Sequence, residues 1–220
     1  GFVGEQSPVK VDEQMATTIP GMYAAGDVCY DGSCASGAVP APPGRNRGSG
    51  ILNAVFAGVV SGQQAAAYAA DHAQQPIDDA QVAQLKEDAF APLFREEGVR
   101  AKEVIDKIQQ LVCPVENSVY MSQHRLDVCL RKLAQIKPMV AQLKAEDFHD
   151  LLSCHEAEAM VLSAEMQFKG ASMRKESRGW FLREDYPQMD NENWLKWIVC
   201  ENDNGAMKFS TEDVPIETYQ

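Results

Sequence analysis

The residues with the clearest chemical promise are an acid and a helix start. In the run Thr17-Thr18-Ile19-Pro20-Gly21-Met22-Tyr23-Ala24-Ala25-Gly26-Asp27, a Pro-Gly turn leads into a short apolar segment, Met22–Ala25, read as a strand. Gly26 then lets backbone approach a ligand closely. Asp27 adds a carboxylate able to hold sugar-like hydroxyls. Further along, Gly48-Ser49-Gly50 opens a long small-residue helix predicted from Ile51 to about Ala70. A helix start of this kind presents free N–H groups and a positive dipole end to an electron-rich ligand edge. Asp27 could instead cap a turn, and Ser49 could serve only as an N-cap.

These two segments carry a resemblance. Val11 to Ala67 resembles the last FAD-contacting part of the fumarate reductase/succinate dehydrogenase flavoprotein family, with adenylylsulfate reductase as a cousin. That family has a "T-x-x-P-G-L-Y-A-A-G-E/D" strand, a Gly-rich loop and an "S-x-S-L" helix start. The resemblance implies that Asp27, with Gly26 before it, bonds the ribityl chain of FAD. It also implies that Ser49, Gly50, Ile51 and Leu52 lie under the isoalloxazine. A second match is Glu176-Ser177-Arg178-Gly179, then Arg183-Glu184-Asp185-Tyr186-Pro187, then Asn193-Trp194-Leu195, which looks like the family's C-terminal "E-S-R-G … R-x-D-Y-P … W" signature. The family also carries an arginine in "N-R-L-G-S" that balances the reduced flavin and helps to hold a substrate carboxylate. Here the text is Arg45-Asn46-Arg47-Gly48-Ser49, so Asn46 falls on that arginine without a gap and Arg47 with one deletion. A planar bidentate cation there suits a carboxylate or a sulfate-like anion. Arg45 and Arg47 are equally readable as solvated loop residues, and the catalytic residue is left unassigned.

One departure bears on substrate. The family keeps a substrate-binding histidine in "H-x-x-M-G-G" ahead of the acid matched by Asp12. This chain has Val3-Gly4-Glu5-Gln6-Ser7-Pro8 in that place, which argues against dicarboxylate chemistry. The dinucleotide fingerprint that grips a pyrophosphate is not reproduced by Gly44, Gly48 and Gly50.

The net charge of −12 opposes nucleic acid and anionic membranes as partners, since both select a basic face. No apolar run reaches the ~20 residues needed to span a bilayer. The start, Gly1-Phe2-Val3-Gly4, reads as the middle of a longer chain whose other part supplies the rest of the flavin site. Six cysteines (Cys29, Cys34, Cys113, Cys129, Cys154, Cys200) form no C-x-x-C pair, so no zinc or iron–sulfur spacing exists and no metal is expected. Cys29 and Cys34 could pair across a loop, although free thiols in a reducing cytosol are the expectation. Cys129 and Cys154 read as small buried hydrophobes. His72, His124, His149 and His155 read as helical residues without a metal-ligand partner.

The predicted fold is α/β plus α. Residues 1–75 form the C-terminal remnant of a Rossmann-like FAD-binding domain, with a Gly/Pro-rich loop between Tyr30 and Ser49 and a tightly packed helix (Ala54, Ala57, Gly58, Ala65, Ala66). Residues 76–174 form an antiparallel helical bundle that opens at an acidic start, Asp78-Asp79. Its three stripes are Val104/Ile105/Ile108/Leu111/Val112, closed by Pro114; Leu126/Cys129/Leu130/Leu133/Ile136, interrupted by Pro138; and Leu151/Cys154/Ala157/Val161/Ala164/Phe168. Residues 175–220 form an irregular extension beginning after Gly170, with a hairpin of Trp197–Glu201 and Met207–Ser210 turned at Asn202-Asp203-Asn204-Gly205. Arg178, Arg183, Glu184 and Asp185, set among Trp180, Phe181 and Tyr186, read as an ion-pair network fastening that extension.

The function expected from all this is that of an FAD-dependent oxidoreductase flavoprotein subunit, of which this chain completes the flavin site and is inactive and flavin-free alone. Electrons would often pass onward to an iron–sulfur partner, in the cytoplasm or on a membrane through that partner. A second reading is a non-catalytic module that docks such a partner through its acidic helices. A third keeps the flavin and changes the substrate to a sulfur oxyanion or a ketone.

Overall fold

A computed structural model describes residues 9–30, 50–74, 76–179 and 181–214. In chain order its elements are β1 (Val9–Lys10), a 3-10 turn (Gly26–Val28), β2 (Cys29–Tyr30), α1 (Gly50–Asp71), α2 (Asp79–Phe90), a second 3-10 turn (Ala91–Phe94) and β3 (Val99–Arg100). Then follow α3 (Ala101–Val112), α4 (Val115–Ser118), β4 (Tyr120–Met121), α5 (Gln123–Val140), β5 (Leu143–Lys144) and α6 (Phe148–Met173). The last are β6 (Leu182–Arg183), α7 (Asn191–Trp194), β7 (Lys196–Asp203) and β8 (Ala206–Asp213). The chain divides into two compact units: Gly1–Gln75 with Arg178–Phe181 and Met189–Gln220, and Pro76–Ser177 with Leu182–Gln188.

The helical unit follows from its three stripes. Val104, Ile108 and Leu111 of α3, Leu126, Cys129, Leu133 and Ile136 of α5, and Leu151, Cys154, Ala157, Val161, Ala164 and Phe168 of α6 are all buried. The three helices pack on one another in pairs. Two small parallel pairs tie their ends. Val99 pairs with Leu143, which brings the start of α3 to the end of α5. Tyr120 pairs with Leu182, which brings the start of α5 to the end of α6. Both ties make neighbouring helices run in opposite senses, and neither strand pair is signalled by the sequence because two-residue strands carry no periodicity. At the first tie a Cβ on Gly98 would lie 2.5 Å from the Gln142 carbonyl oxygen, so glycine is required for the close approach. Asp78 caps α2 by accepting from the Ala80 and Gln81 amides, as its acidic start predicted.

Two expectations for this unit need correction. Pro138 does not interrupt α5; it stands inside the helix, which runs on to Val140. It costs one hydrogen bond in the last turn, where packing of Leu133 and Ile136 against the core holds the helix. The chain also does not become irregular at Gly170. Helix α6 passes through it to Met173, and the Arg174 amide still bonds the Gly170 carbonyl.

The other unit departs further from the expected remnant. Its small core is Met15, Cys29 and Ala57, flanked by Val11, Ala24, Ala25 and Val60. Met22–Ala25 is not a strand: only Tyr23 bridges, antiparallel to Ala16. The Pro-Gly turn folds the chain back so that Thr17 N donates to Met22 O (2.9 Å) and Met22 N to Ile19 O (3.0 Å). Gly26, at φ 76°, then diverts the backbone into the 3-10 turn. The strand comes after it, as β2 paired in parallel with β1. Around this core the described residues hold a two-residue parallel pair, one antiparallel bridge and one long helix, and the unit's other sheet is the two-stranded C-terminal hairpin, so a Rossmann-type sheet is not among them. Nor is α1 tightly packed. Ala57 is its buried residue, a Cβ on Gly58 or Gly62 would meet nothing within 4 Å, and Ile51, Leu52, Val55, Phe56 and Val59 form an exposed apolar stripe.

The hairpin is longer than predicted, with eight residues in each strand in register from Lys196↔Asp213 to Asp203↔Ala206. Its loop is Asn204-Gly205 with φ 51° and 88°, the two positive values a type I′ turn requires. The Asn202 side chain accepts from the Gly205 amide at 2.8 Å.

Candidate functional site

The first candidate site is built where the 3-10 turn meets α1. These two elements pack together, and a Cβ on Gly26 would come 3.4 Å from the Ala54 Cβ. Gly26 and Asp27 are the first two residues of the turn. Gly50 is the first residue of α1, and Ile51 and Leu52, at 80% and 69% exposure, leave the first helical turn uncovered. Cys29, buried behind the turn, donates its thiol to the Gly26 carbonyl at 3.2 Å. Below it the Pro-Gly turn is braced on α1. A Cβ on Gly21 would lie 2.8 Å from Tyr68 Cε1, and Tyr68 is stacked on His72 with centroids 3.7 Å apart. His72 lies one residue beyond α1 rather than on it. Asp12 holds its own loop, its Oδ1 accepting from the Gln14 and Ala16 amides at 2.8 and 2.9 Å. Ser49, Arg45, Arg47 and Cys34 lie outside the described residues, as do Val3–Pro8.

The second candidate, the C-terminal signature, is a network. Arg183 is 1% exposed. Its Nε and Nη2 donate to Asp185 Oδ1 and Oδ2, each at 2.8 Å, as a bidentate pair. Nη1 donates to the Ala171 and Arg174 carbonyls at 2.7 and 2.9 Å, and Nη2 to Gln123 Oε1 at 3.2 Å. The guanidinium also stands 5.1 Å from the Tyr186 ring centroid. Asp185 in turn accepts from the Gln123 amide, the first residue of α5. The Arg183 guanidinium holds the Asp185 carboxyl down to about 2. Every donor of the arginine fork is used, so this group fastens the end of α6 to the start of α5 and offers nothing to a substrate. Glu184 points to Arg125 at 2.5 Å on the surface, and Arg178 donates to Asn191 Oδ1 at 2.7 Å. The expected fastening role for Arg178, Arg183, Glu184 and Asp185 matches these contacts.

Sequence reasoning missed the ion pairs of two buried acids, Glu176 and Glu165. Arg174 and Glu176 are 5% and 0% exposed and meet at 2.5 Å; nothing in their spacing signals burial. Glu165 on α6 takes Lys137 at 2.5 Å and Lys169 at 2.6 Å. Burial raises its carboxyl, and the two ammonium groups outweigh that and hold it below its usual range. The i,i+4 spacing of Glu165 and Lys169 was a usable signal. Burial pushes the Cys129 and Cys154 thiols up, as inert core cysteines require. His155 bonds the Ala89 carbonyl at 3.0 Å. No cluster of three metal-ligating side chains exists among the described residues, and no helix among them is long and apolar enough to cross a membrane.

The architecture is a three-helix unit sealed by a buried arginine network, with a helix-and-turn unit ending in a hairpin. The fold is shared with solved structures. The quinol fumarate reductase of E. coli superposes with a TM-score of 0.77 at 22% identity, covering 94% of this chain and 36% of that one. The adenylylsulfate reductase of Archaeoglobus fulgidus gives 0.72 at 23% identity, covering 91% and 32%. Residues 107–220 match the family described as fumarate reductase flavoprotein C-term. The fumarate reductase flavoprotein subunit of Haemophilus influenzae is 29% identical over 224 residues, covering 96% of this chain and 35% of its own length. The chain belongs to the fumarate reductase/succinate dehydrogenase flavoprotein family. It spans about a third of the length of the curated relatives it matches.

Proposed function

We propose that this chain is the C-terminal part of an FAD-dependent oxidoreductase subunit and that it completes the flavin site. Residues 1–75 would be the end of the FAD-binding domain, 76–174 a helical domain and 175–220 a C-terminal extension with a hairpin. The observation that carries the reading is the packing of the Gly26–Val28 turn against the first turns of α1. It sets the backbone of the turn that contains Gly26 and Asp27 beside α1. The uncovered stripe from Ile51 to Val59 is what a helix shows when the remainder of its domain is elsewhere.

Bound there, FAD would supply the capacity to take and return an electron pair. The chain's own residues hold and orient it. Asp27 accepts hydrogen bonds from ribityl hydroxyls. Gly26 admits the backbone to close approach. The amides at Ser49, Gly50, Ile51 and Leu52 present a partial positive charge that favours an electron-rich ring. Arg47 or Arg45 adds a full positive charge and a bidentate grip for an anion. The rest of the subunit grips the pyrophosphate, and an iron–sulfur electron-transfer subunit is the natural partner.

Fumarate and succinate are disfavoured as substrates, because Val3-Gly4-Glu5 stands where the family keeps its substrate histidine, and a sulfur oxyanion or a ketone is the alternative class. A buried substrate carboxylate left without its donor loses about 1–3 kcal/mol. The complete subunit, reduced with dithionite, should stay reduced when fumarate is added. Brisk reoxidation by fumarate would overturn this substrate assignment. The 220-residue chain alone should stay colourless after incubation with FAD and removal of the excess, whereas a yellow product would show that it forms a full site by itself.

A further inference from the structure

The helical unit carries a helix that its own fold does not need. None of the residues of α2 is buried, and among the described residues its side-chain and ring contacts to α6 lie at its C-terminal end. There the Ala89 carbonyl meets His155 at 3.0 Å, and Phe90 stands edge-on to Phe148 with centroids 6.4 Å apart. Phe148, Leu152 and His155 fall at i, i+4 and i+7, so they form a second stripe on α6, separate from the buried stripe of Leu151, Cys154 and Ala157. This second stripe stays open, with Phe148 74% and Leu152 56% exposed. On α2 itself Val82 and Leu85 are open, and Phe94 in the following turn is 81% exposed. A helix of this length with no buried face is only marginally stable in water, so it is built to be covered.

The charges state what covers it. From Asp78 to Glu97 stand the acids Asp78, Asp79, Glu87, Asp88, Glu96 and Glu97, against the bases Lys86 and Arg95. Asp78 is spent on capping, and Arg95 is turned inward to the Leu143 carbonyl. Glu87, Glu96 and Glu97 are exposed, and no ion pair is made by them among the described residues. Two copies of this rim would repel each other, which sets a second copy of the chain aside.

We infer that α2, the turn after it and the Phe148/Leu152 stripe are a docking surface for a different polypeptide, one presenting apolar side chains flanked by Lys and Arg. The apolar centre supplies the contact area and the acidic rim supplies orientation and speed of association. The surface lies wholly within residues 76–158, so it does not depend on the flavin assignment.

The test uses the complete flavoprotein in its own cells, with a photoactivatable phenylalanine analogue at Leu85 in one variant and at Phe94 in another. Both should give one discrete adduct with a second polypeptide. The linked peptide should hold apolar residues beside at least two Lys or Arg. Reversing three charges together (Glu87→Lys, Glu96→Lys, Glu97→Lys) should cut the yield about threefold or more. Flavin absorbance and helical circular dichroism should be unchanged in that variant, because these side chains are exposed. An adduct within the same chain or with a second copy, no adduct, or a yield indifferent to charge reversal would each overturn the inference.

Discussion

Replacing Arg183 by lysine tests the reading of the C-terminal signature as a fastener. Arg183 is 1% exposed and makes five hydrogen bonds, to both oxygens of Asp185, the carbonyls of Ala171 and Arg174, and Gln123. Lysine keeps the charge but has three donors on one nitrogen, so at least two acceptors lose their partner and the planar match to Asp185 is gone. Charge-assisted bonds contribute about 1.5–3 kcal/mol each, and relaxation recovers part of the loss. Arg183→Lys should therefore destabilise the helical unit by about 2–4 kcal/mol, read from urea unfolding followed at the helical band. Asp185→Asn keeps the acceptor oxygen and loses the charge. The carboxyl is held at about 2 against an ordinary 3.8, an upper bound of about 2.4 kcal/mol. The Asp185 side chain is 31% open to water, which discounts the figure to roughly 1–2 kcal/mol. Because the folded value is depressed, this stability is present above pH ~4 and is lost as pH falls toward 2. The gap between the native chain and Asp185→Asn should be constant from pH 5 to 7, about the neutral range, and shrink below pH ~4. An Arg183→Lys variant within about 0.5 kcal/mol of the native chain would refute the fastening role.

Three further outcomes follow from local geometry. Phe168→Ala removes a side chain with 0% exposure from the C-terminal part of α6 and should cost about 3–5 kcal/mol in the same urea assay; a loss under about 1 kcal/mol would mean that α6 is not the centre of the core. Gly21→Ala forces a side chain onto φ 78° and places its Cβ 2.8 Å from Tyr68. It should speed amide exchange across residues 15–29, and pairing it with Tyr68→Ala should recover only part of the protection, because the backbone strain remains. Gly205→Val at φ 88° should break the type I′ turn and remove cross-strand contacts between β7 and β8 in NMR spectra.

The parts of the fold legible in the sequence are those with a period. The stripes of α3, α5 and α6 could be read because apolar residues recur at helical spacing; most of their members form the core, while Ile105, Val112 and Leu130 stay half-buried at its edge. The hairpin was legible through Asn204-Gly205, whose conformation few other pairs adopt. The two-residue strand pairs were not, since Val99–Arg100 and Leu143–Lys144 are too short to alternate. The strand assigned to Met22–Ala25 failed because the Pro-Gly turn and Gly26 bend the chain at both ends of four residues, leaving room for one bridge. Helix α1 was read as tightly packed from its alanines and glycines. Small residues permit close packing without requiring it, and Ile51, Leu52 and Phe56 remain exposed. At the C-terminal signature the sequence supplied the charges, while the burial of Arg183, Arg174 and Glu176 depends on which helix ends converge there.

In the proposed site Asp27 and the start of α1 share one flavin. The most direct measurement is FAD retention in the complete subunit carrying Asp27→Ala, with Ser49→Ala and the native protein alongside, titrated by flavin absorbance after partial removal of the cofactor. Loss of the carboxylate proposed to accept from ribityl hydroxyls should weaken retention by about 1–3 kcal/mol. Loss of the Ser49 hydroxyl should have a smaller effect in the same direction. Unchanged flavin occupancy and unchanged reduction potential in both variants would contradict the placement of FAD at this turn.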